Sequence, residues 1–121
     1  MQTQKTVLVT GGAGHVGSKV VPRLLENGFK VHVLDLYLFH RKVFEDFRNN
    51  PNLIEFLGDI RNPNLLAEAL RDCDFVIHLA CISNDPSFKL DPKLGKSINY
   101  ESFLPLVRAA NLEGISRLIY A

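Results

Sequence analysis

Gly11, Gly14 and Gly17 recur at three-residue spacing in the stretch TGGAGHVGS. They leave the apolar run KTVLV and enter a segment of helical periodicity. A glycine turn in that place can cradle a phosphate. Gly11 permits the tight turn, Gly14 lets a backbone approach a pyrophosphate, and Gly17 lets the helix pack against the sheet. N–H groups at the helix start then face the anion, assisted by the helix dipole. The same glycines would also suit a turn that needs positive φ and binds nothing. No Gly-Lys-Ser/Thr follows, so this is not a nucleoside-triphosphate P-loop.

Asp35 lies 18 residues past Gly17, after the run KVHVL. At the end of a second strand its carboxylate can accept hydrogen bonds from both ribose hydroxyls of a dinucleotide. It would repel a 2′-phosphate, which predicts NAD rather than NADP, although Arg41 stands close by in sequence. The plainer alternative is a strand-end turn residue. Asp59, in LGDIRN, has two readings as well. It is a turn or helix-cap residue, a role for which Asn62 competes, or it sits by the adenine amino group with Ile60 against the ring. Ala80 follows DFVIHL, and a small residue there leaves room beside the glycine turn. His78 and Cys81 form H-x-x-C, but a metal site needs two further ligands, of which His15 is the nearest candidate. Core packing is the simpler reading for both, and no metal is expected. Cys73 is expected as a buried strand-start residue. His32 and His40 are expected as ordinary strand or surface positions. No third group orients a cysteine–histidine pair for nucleophilic catalysis.

These residues need elements to carry them. Val7 to Val9 is a short run of β-formers, bounded by a polar start and a glycine stop, as in a buried parallel strand. Val16, Val20, Val21, Leu24 and Leu25 repeat at helical spacing, and Gly28 stands where a C-terminal cap belongs. Lys30 to Leu34 is a second strand. Arg41 to Arg48 predicts a short helix broken by Asn49, Asn50 and Pro51. Leu53 to Leu57 is a third strand. Asn62 and Pro63 then open a helix as N-cap and first helical residue, with Leu65, Leu66, Ala69 and Leu70 inward. Asp74 to Leu79 is a fourth strand. A loop with Asp85-Pro86 and Asp91-Pro92 follows. A last helix is expected from about Lys93 to Asn111, with Ile98, Phe103, Leu106 and Val107 inward, Pro105 as a possible kink and Gly114 as cap. RLIYA is a fifth strand.

Strand and helix alternate throughout, so the expected fold class is α/β, a Rossmann-type doubly wound parallel sheet in the order 3-2-1-4-5. Its crevice lies at the carboxyl ends of strands one and four. The 121 residues, 46% of them hydrophobic, suffice for a single domain over 1–121. A net charge of +1 from 14 basic and 13 acidic side chains, mixed along the chain, offers no surface for nucleic acid. No apolar run is long enough for a membrane span and the N-terminus lacks a signal-peptide layout. Two cysteines suggest no disulfide scaffold, and a cytoplasmic setting is expected.

TGGAGHVGS, Asp35, GDIR, HLA and Asn99 together resemble the extended short-chain dehydrogenase/reductase family, and within it the NAD-dependent nucleotide-sugar epimerases and dehydratases. The resemblance runs from KTVLV to RLIYA. It implies that Gly11, Gly14, His15, Val16 and Gly17 match the dinucleotide turn. It further implies that Asp35 matches the ribose carboxylate, Asp59 and Ile60 the adenine pair, and Leu79, Ala80 and Cys81 the segment after strand four. Many members carry alanine where Cys81 stands. Asn99, within SINYES, matches a structural asparagine of the following helix, and ISNDPS looks like a variant found in some sugar-nucleotide members.

In that family a serine or threonine follows strand five, and a Tyr-x-x-x-Lys pair lies on the next helix. The tyrosine moves the proton of the sugar hydroxyl. Here Arg41 stands four residues after Tyr37 and Leu104 four after Tyr100, and Tyr120 is followed only by Ala121. No catalytic residue is therefore assigned. The expectation is the NAD-binding N-terminal portion of an epimerase or dehydratase, truncated after strand five, without its catalytic and sugar-binding parts and inactive alone. An exposed strand-five edge predicts a homo-oligomer or association through Leu118, Ile119 and Tyr120. A non-catalytic NAD-binding regulatory module, and a structural domain without cofactor, remain as alternatives.

Overall fold

The computed structural model describes residues 3–38, 42–80, 93, 96 and 101–121. Its strands are β1 (Thr6–Thr10), β2 (Lys30–Asp35), β3 (Leu53–Leu57), β4 (Phe75–His78) and β5 (Arg117–Tyr120). Its described helices are α1 (Gly17–Glu26), α2 (Pro63–Leu70) and α3 (Phe103–Leu112), with one 3-10 turn at Glu45–Phe47. The strands form one sheet in the order β3-β2-β1-β4-β5. All four pairings are parallel, and Thr10 stands level with Leu34 on one side and His78 on the other.

β1 is central and every residue of it is buried, which is why its sequence is a run of Val and Leu rather than an alternation. Side chains still alternate between faces. Leu8, Leu34 and Val76 meet Leu66, Ala69 and Leu70 of α2 and Leu106 and Ala110 of α3. Val7, Val9, Val31 and Val33 meet Val21 of α1 and Phe44 on the opposite face. The sheet is thus covered on both faces, as a doubly wound fold requires.

The helix ends follow from local chemistry. The Asn62 side chain accepts from the N–H groups of Asn64 and Leu65, and Pro63 takes the first helical position. Gly28 closes α1 at φ 86°, where Phe29 N–H reaches Leu24 O at 3.1 Å.

Three expectations need correction. Val16 is the N-cap of α1 and 56% exposed, so it is not on the buried stripe. The helix expected over Arg41 to Arg48 is only the Glu45–Phe47 turn, because Phe44 enters the core and leaves too few residues before Pro51. Pro105 lies in the first turn of α3, where its missing N–H breaks no intrahelical bond. Lys93 and Lys96 are helical, but Ile98 lies outside the described residues. His32 is a strand residue, as expected, and is buried.

Candidate functional site

The carboxyl ends of the strands are stitched side to side by backbone hydrogen bonds. Gly58 N–H donates to Asp35 O at 2.9 Å, Gly11 N–H to Leu34 O at 2.8 Å, and Leu79 N–H to Thr10 O at 2.9 Å. Those contacts bring the predicted residues of β1, β2, β3 and β4 to one edge of the sheet.

The glycine turn is tight at two points. Gly11 has φ 69°, and a Cβ on it would lie 2.7 Å from both N and Cα of Ala80. Only glycine lets the end of β1 pass that close to the end of β4. A Cβ on Gly17 would lie 2.5 Å from Gly12 Cα. The helix start therefore packs against the turn itself, whereas the sequence predicted packing against the sheet. Gly14 differs, because it is exposed and a Cβ there would touch only Gly11 O, at 3.3 Å. His15 and Val16 are exposed beside it. No side chain caps the start of α1, and no acidic residue occupies its first turn. Ser18 N–H meets Gly14 O at 2.8 Å and Lys19 N–H meets Val16 O at 3.0 Å, so what this helix start offers an anion is its positive dipole end, with no acidic side chain in the first turn.

Asp35 reaches back to this turn. Its Oδ2 accepts from Ala13 N–H at 2.9 Å and its Oδ1 from Tyr37 N–H at 2.7 Å. One bond on each oxygen leaves acceptor capacity on both, since a carboxylate offers about four acceptor sites. Asp59 stands at the next strand end. Its Oδ1 accepts from Arg61 N–H at 2.8 Å, and the Arg61 guanidinium pairs with both its oxygens. Those hydrogen bonds hold the Asp59 carboxyl below its ordinary value. The cap of α2 belongs to Asn62, so Asp59 has the turn role but not the cap role. Ile60 is 6% exposed and its side chain packs in the α2/α3 core.

Behind the turn lies a buried polar knot that sequence reasoning did not identify. Thr10 Oγ1 accepts from the N–H groups of Leu79 at 3.2 Å and Ala80 at 3.3 Å. Its own proton then goes to His78 Nδ1, 2.6 Å away. That assignment leaves His78 neutral with its proton on Nε2. Burial lowers the His78 pKa from its ordinary value, in agreement. The ring stacks on Tyr120 with centroids 5.6 Å apart. The only sequence signal was the threonine preceding the paired glycines. Tyr37, whose contact with Asp35 was also missed, left only the Asp-x-Tyr spacing as a clue.

The remaining titratable groups are structural. His32 Nδ1 donates to Ala69 O at 2.7 Å, and its pKa is lowered by burial. Burial pushes the Cys73 thiol up to about 12, which removes it as a nucleophile. Among the described residues no group of three or more metal-ligating side chains exists. Cys81, Asn99, Arg41, His40, Tyr100 and ISNDPS lie outside the described residues. At the β5 edge Ile119 and Tyr120 are exposed, while Leu118 packs against the α2/α3 core. No described helix is long and apolar enough to cross a membrane.

The model of the NAD dependent epimerase/dehydratase family matches residues 7–121. A UDP-glucose 4-epimerase of Rickettsia bellii is 32% identical over 98% of this chain and 36% of its own length. Among solved structures, the Bordetella bronchiseptica enzyme WbmF in complex with NAD+ is 32% identical with a TM-score of 0.84, over 98% of this chain and 36% of that one. The Thermus thermophilus UDP-glucose 4-epimerase in complex with NAD is 31% identical with a TM-score of 0.79, over 93% of this chain and 36% of that one. The chain thus spans about a third of the length of the curated relatives it matches.

Proposed function

The chain belongs to the NAD dependent epimerase/dehydratase family, and from that premise we propose that the edge of strand ends built around Gly11 and Asp35 holds NAD. The observation that carries this reading is the placement of Asp35. Its carboxylate is tied to the glycine turn through Ala13 N–H, and both oxygens keep acceptor capacity for a ribose diol. Gly11, Gly14, His15, Val16 and Gly17 would receive the pyrophosphate at the start of α1, which no side chain caps. Leu79 and Ala80 would line the side toward strand four. Asp59 would face the adenine amino group. Ile60 would contribute through its backbone, because its side chain is in the core. Bound NAD supplies a hydride acceptor and donor, and the protein supplies orientation and electrostatics. The residues present suit the group, since the outward side of Gly14 is open and no acidic side chain stands at the helix start.

The substrate class is proposed from the same premise. The longer enzymes that this chain matches in part include UDP-glucose 4-epimerases, and we propose that the complete catalyst acts on a nucleotide sugar. This chain contains no Tyr-x-x-x-Lys pair, so it is proposed to bind cofactor without turning over sugar. Association through Ile119 and Tyr120 at the β5 edge, and a cytoplasmic setting, complete the proposal.

Calorimetric titration of the purified chain with NAD, and separately with NADP, tests it. NAD should saturate, NADP should bind more weakly, and Asp35→Ala should weaken NAD by about tenfold or more, as loss of charged hydrogen bonds implies. A folded chain that binds neither dinucleotide would sink the proposal.

A further inference from the structure

Tyr37 is two residues past Asp35 and carries a left-handed backbone, with φ 54°. A residue with a side chain adopts that conformation only when its surroundings hold it there. Here three contacts do so. The ring is buried among Val31, Val33 and Phe44, with 6% of the residue exposed. The phenol donates to Glu55 Oε1 at 2.8 Å. Glu55 stands on β3, level with Val33 of β2. The Tyr37 N–H donates to Asp35 Oδ1 at 2.7 Å. A continuous line of contacts therefore runs from the outer strand, through the phenol and the strained peptide, to Asp35 and on to Ala13 in the glycine turn.

We propose that Tyr37 is a positioning residue for cofactor choice: its ring, anchored on Glu55, holds the Asp35 carboxylate fixed toward the ribose, so that a 2′-phosphate is excluded. This inference rests on the NAD-binding reading above. The physical reason is rotational freedom. An aspartate at a strand end can turn its carboxylate away from an incoming anion, and the repulsion that separates NAD from NADP then fades. With one N–H on each oxygen Asp35 cannot turn without losing a charge-assisted hydrogen bond. Tyr37 itself is too buried to touch a ligand, so its influence passes through Asp35. Burial, and then the hydrogen bond to Glu55, raise the phenol pKa, which keeps the donor protonated throughout the working range.

Two measurements on the chain test this. The first needs no cofactor: amide hydrogen exchange of Ala13 N–H, with Gly11 N–H as internal reference, since Gly11 bonds a backbone carbonyl instead. Tyr37→Ala should speed Ala13 exchange by about tenfold relative to Gly11, the loss of one charge-assisted restraint. The second is the ratio of NADP to NAD dissociation constants. It should fall by about tenfold in Tyr37→Ala and about threefold in Tyr37→Phe or Glu55→Ala, and stay at the wild-type value in Glu55→Gln, whose amide oxygen still accepts. A purely structural tyrosine would lower the melting temperature without moving that ratio. Should Tyr37→Ala not fold, Tyr37→Phe and Glu55→Ala carry the same comparison. Folded variants with wild-type Ala13 exchange and wild-type discrimination overturn the inference. A wild-type chain that binds neither dinucleotide overturns instead the reading beneath it, and Ala13 exchange then decides the holding role alone.

Discussion

Alanine at Gly11 and alanine at Gly28 separate two costs that the same substitution usually mixes. Both glycines have positive φ, 69° and 86°. Placing an L side chain in that region costs about 1–2 kcal/mol, less about 0.4–1 kcal/mol because alanine also restricts the unfolded chain. At Gly28 nothing lies within 4 Å of the added Cβ, so this backbone term stands alone. At Gly11 the Cβ also meets Ala80 N and Cα at 2.7 Å and the Leu79 carbonyl carbon at 2.8 Å. These are backbone atoms of a paired strand end and cannot swing aside. Forcing β1 and β4 apart there adds an overpacking cost of about 1–3 kcal/mol. For a chain of this size 1 kcal/mol moves the melting temperature by about 4 °C. Gly28→Ala should therefore melt about 4 °C below wild type, and Gly11→Ala about 8–16 °C below. Differential scanning calorimetry on the three proteins reads the difference, and titration with NAD reads its functional side. Gly28→Ala should bind as wild type does, since it lies at the far end of α1. Gly11→Ala should lose binding even well below its melting temperature. Equal melting points for the two variants, or unimpaired NAD binding by Gly11→Ala, would refute the close-approach account of the turn.

Thr10→Val removes a hydroxyl that serves Leu79 N–H, Ala80 N–H and His78 Nδ1 inside the core. Leu79 N–H keeps its backbone bond to Thr10 O, but stranding Ala80 N–H and His78 Nδ1 should cost about 2 kcal/mol or more, while Thr10→Ser should stay within about 1 kcal/mol of wild type in urea titration; a valine variant as stable as wild type removes the buried knot from the explanation. Stability should also depend on pH through His32 and His78. Burial lowers both folded-state values below the ordinary 6.5, so the unfolded chain takes up protons first as pH falls past 6.5. Their contribution is complete above that value and is lost progressively below it, with a combined slope of at most about 2.7 kcal/mol per pH unit. Urea midpoints at pH 7.5, 6.0 and 5.0 should fall in that order, and equal midpoints would contradict the assignment.

Much of the architecture was legible because local and global signals agree in this chain. The β1 run is apolar at every interior position because the strand is central. Asn62-Pro63 opens α2 and Gly28 closes α1, as their chemistry dictates. The strand order and the alternation of the two faces followed from the spacing of those elements. The glycine turn and Asp35 were visible as well, because glycine and a strand-end carboxylate announce themselves by residue type. Sequence periodicity was less reliable at element ends. It counted Val16 with the buried stripe of α1, but the helix starts one residue later and leaves Val16 in solvent. Pro22 lies inside α1, which continues through it, with Val21 fully buried beside it. Packing outweighed a local breaker there.

By itself, then, the amino-acid sequence determined the doubly wound parallel sheet, the glycine turn and the carboxylate after β2, since each depends on backbone requirements that particular residue types satisfy locally. Only the tertiary structure decided what those residues touch. That Gly11 is demanded by Ala80, that Ile60 turns into the core, and that Thr10 joins the end of β1 to His78 and the residues after it all depend on contacts between positions distant in sequence. The hold of Ala13 on Asp35 and the anchoring of Tyr37 on Glu55 are of the same kind. Residue spacing encodes which face of an element a side chain occupies; the partner it meets there is set by how the elements close on one another.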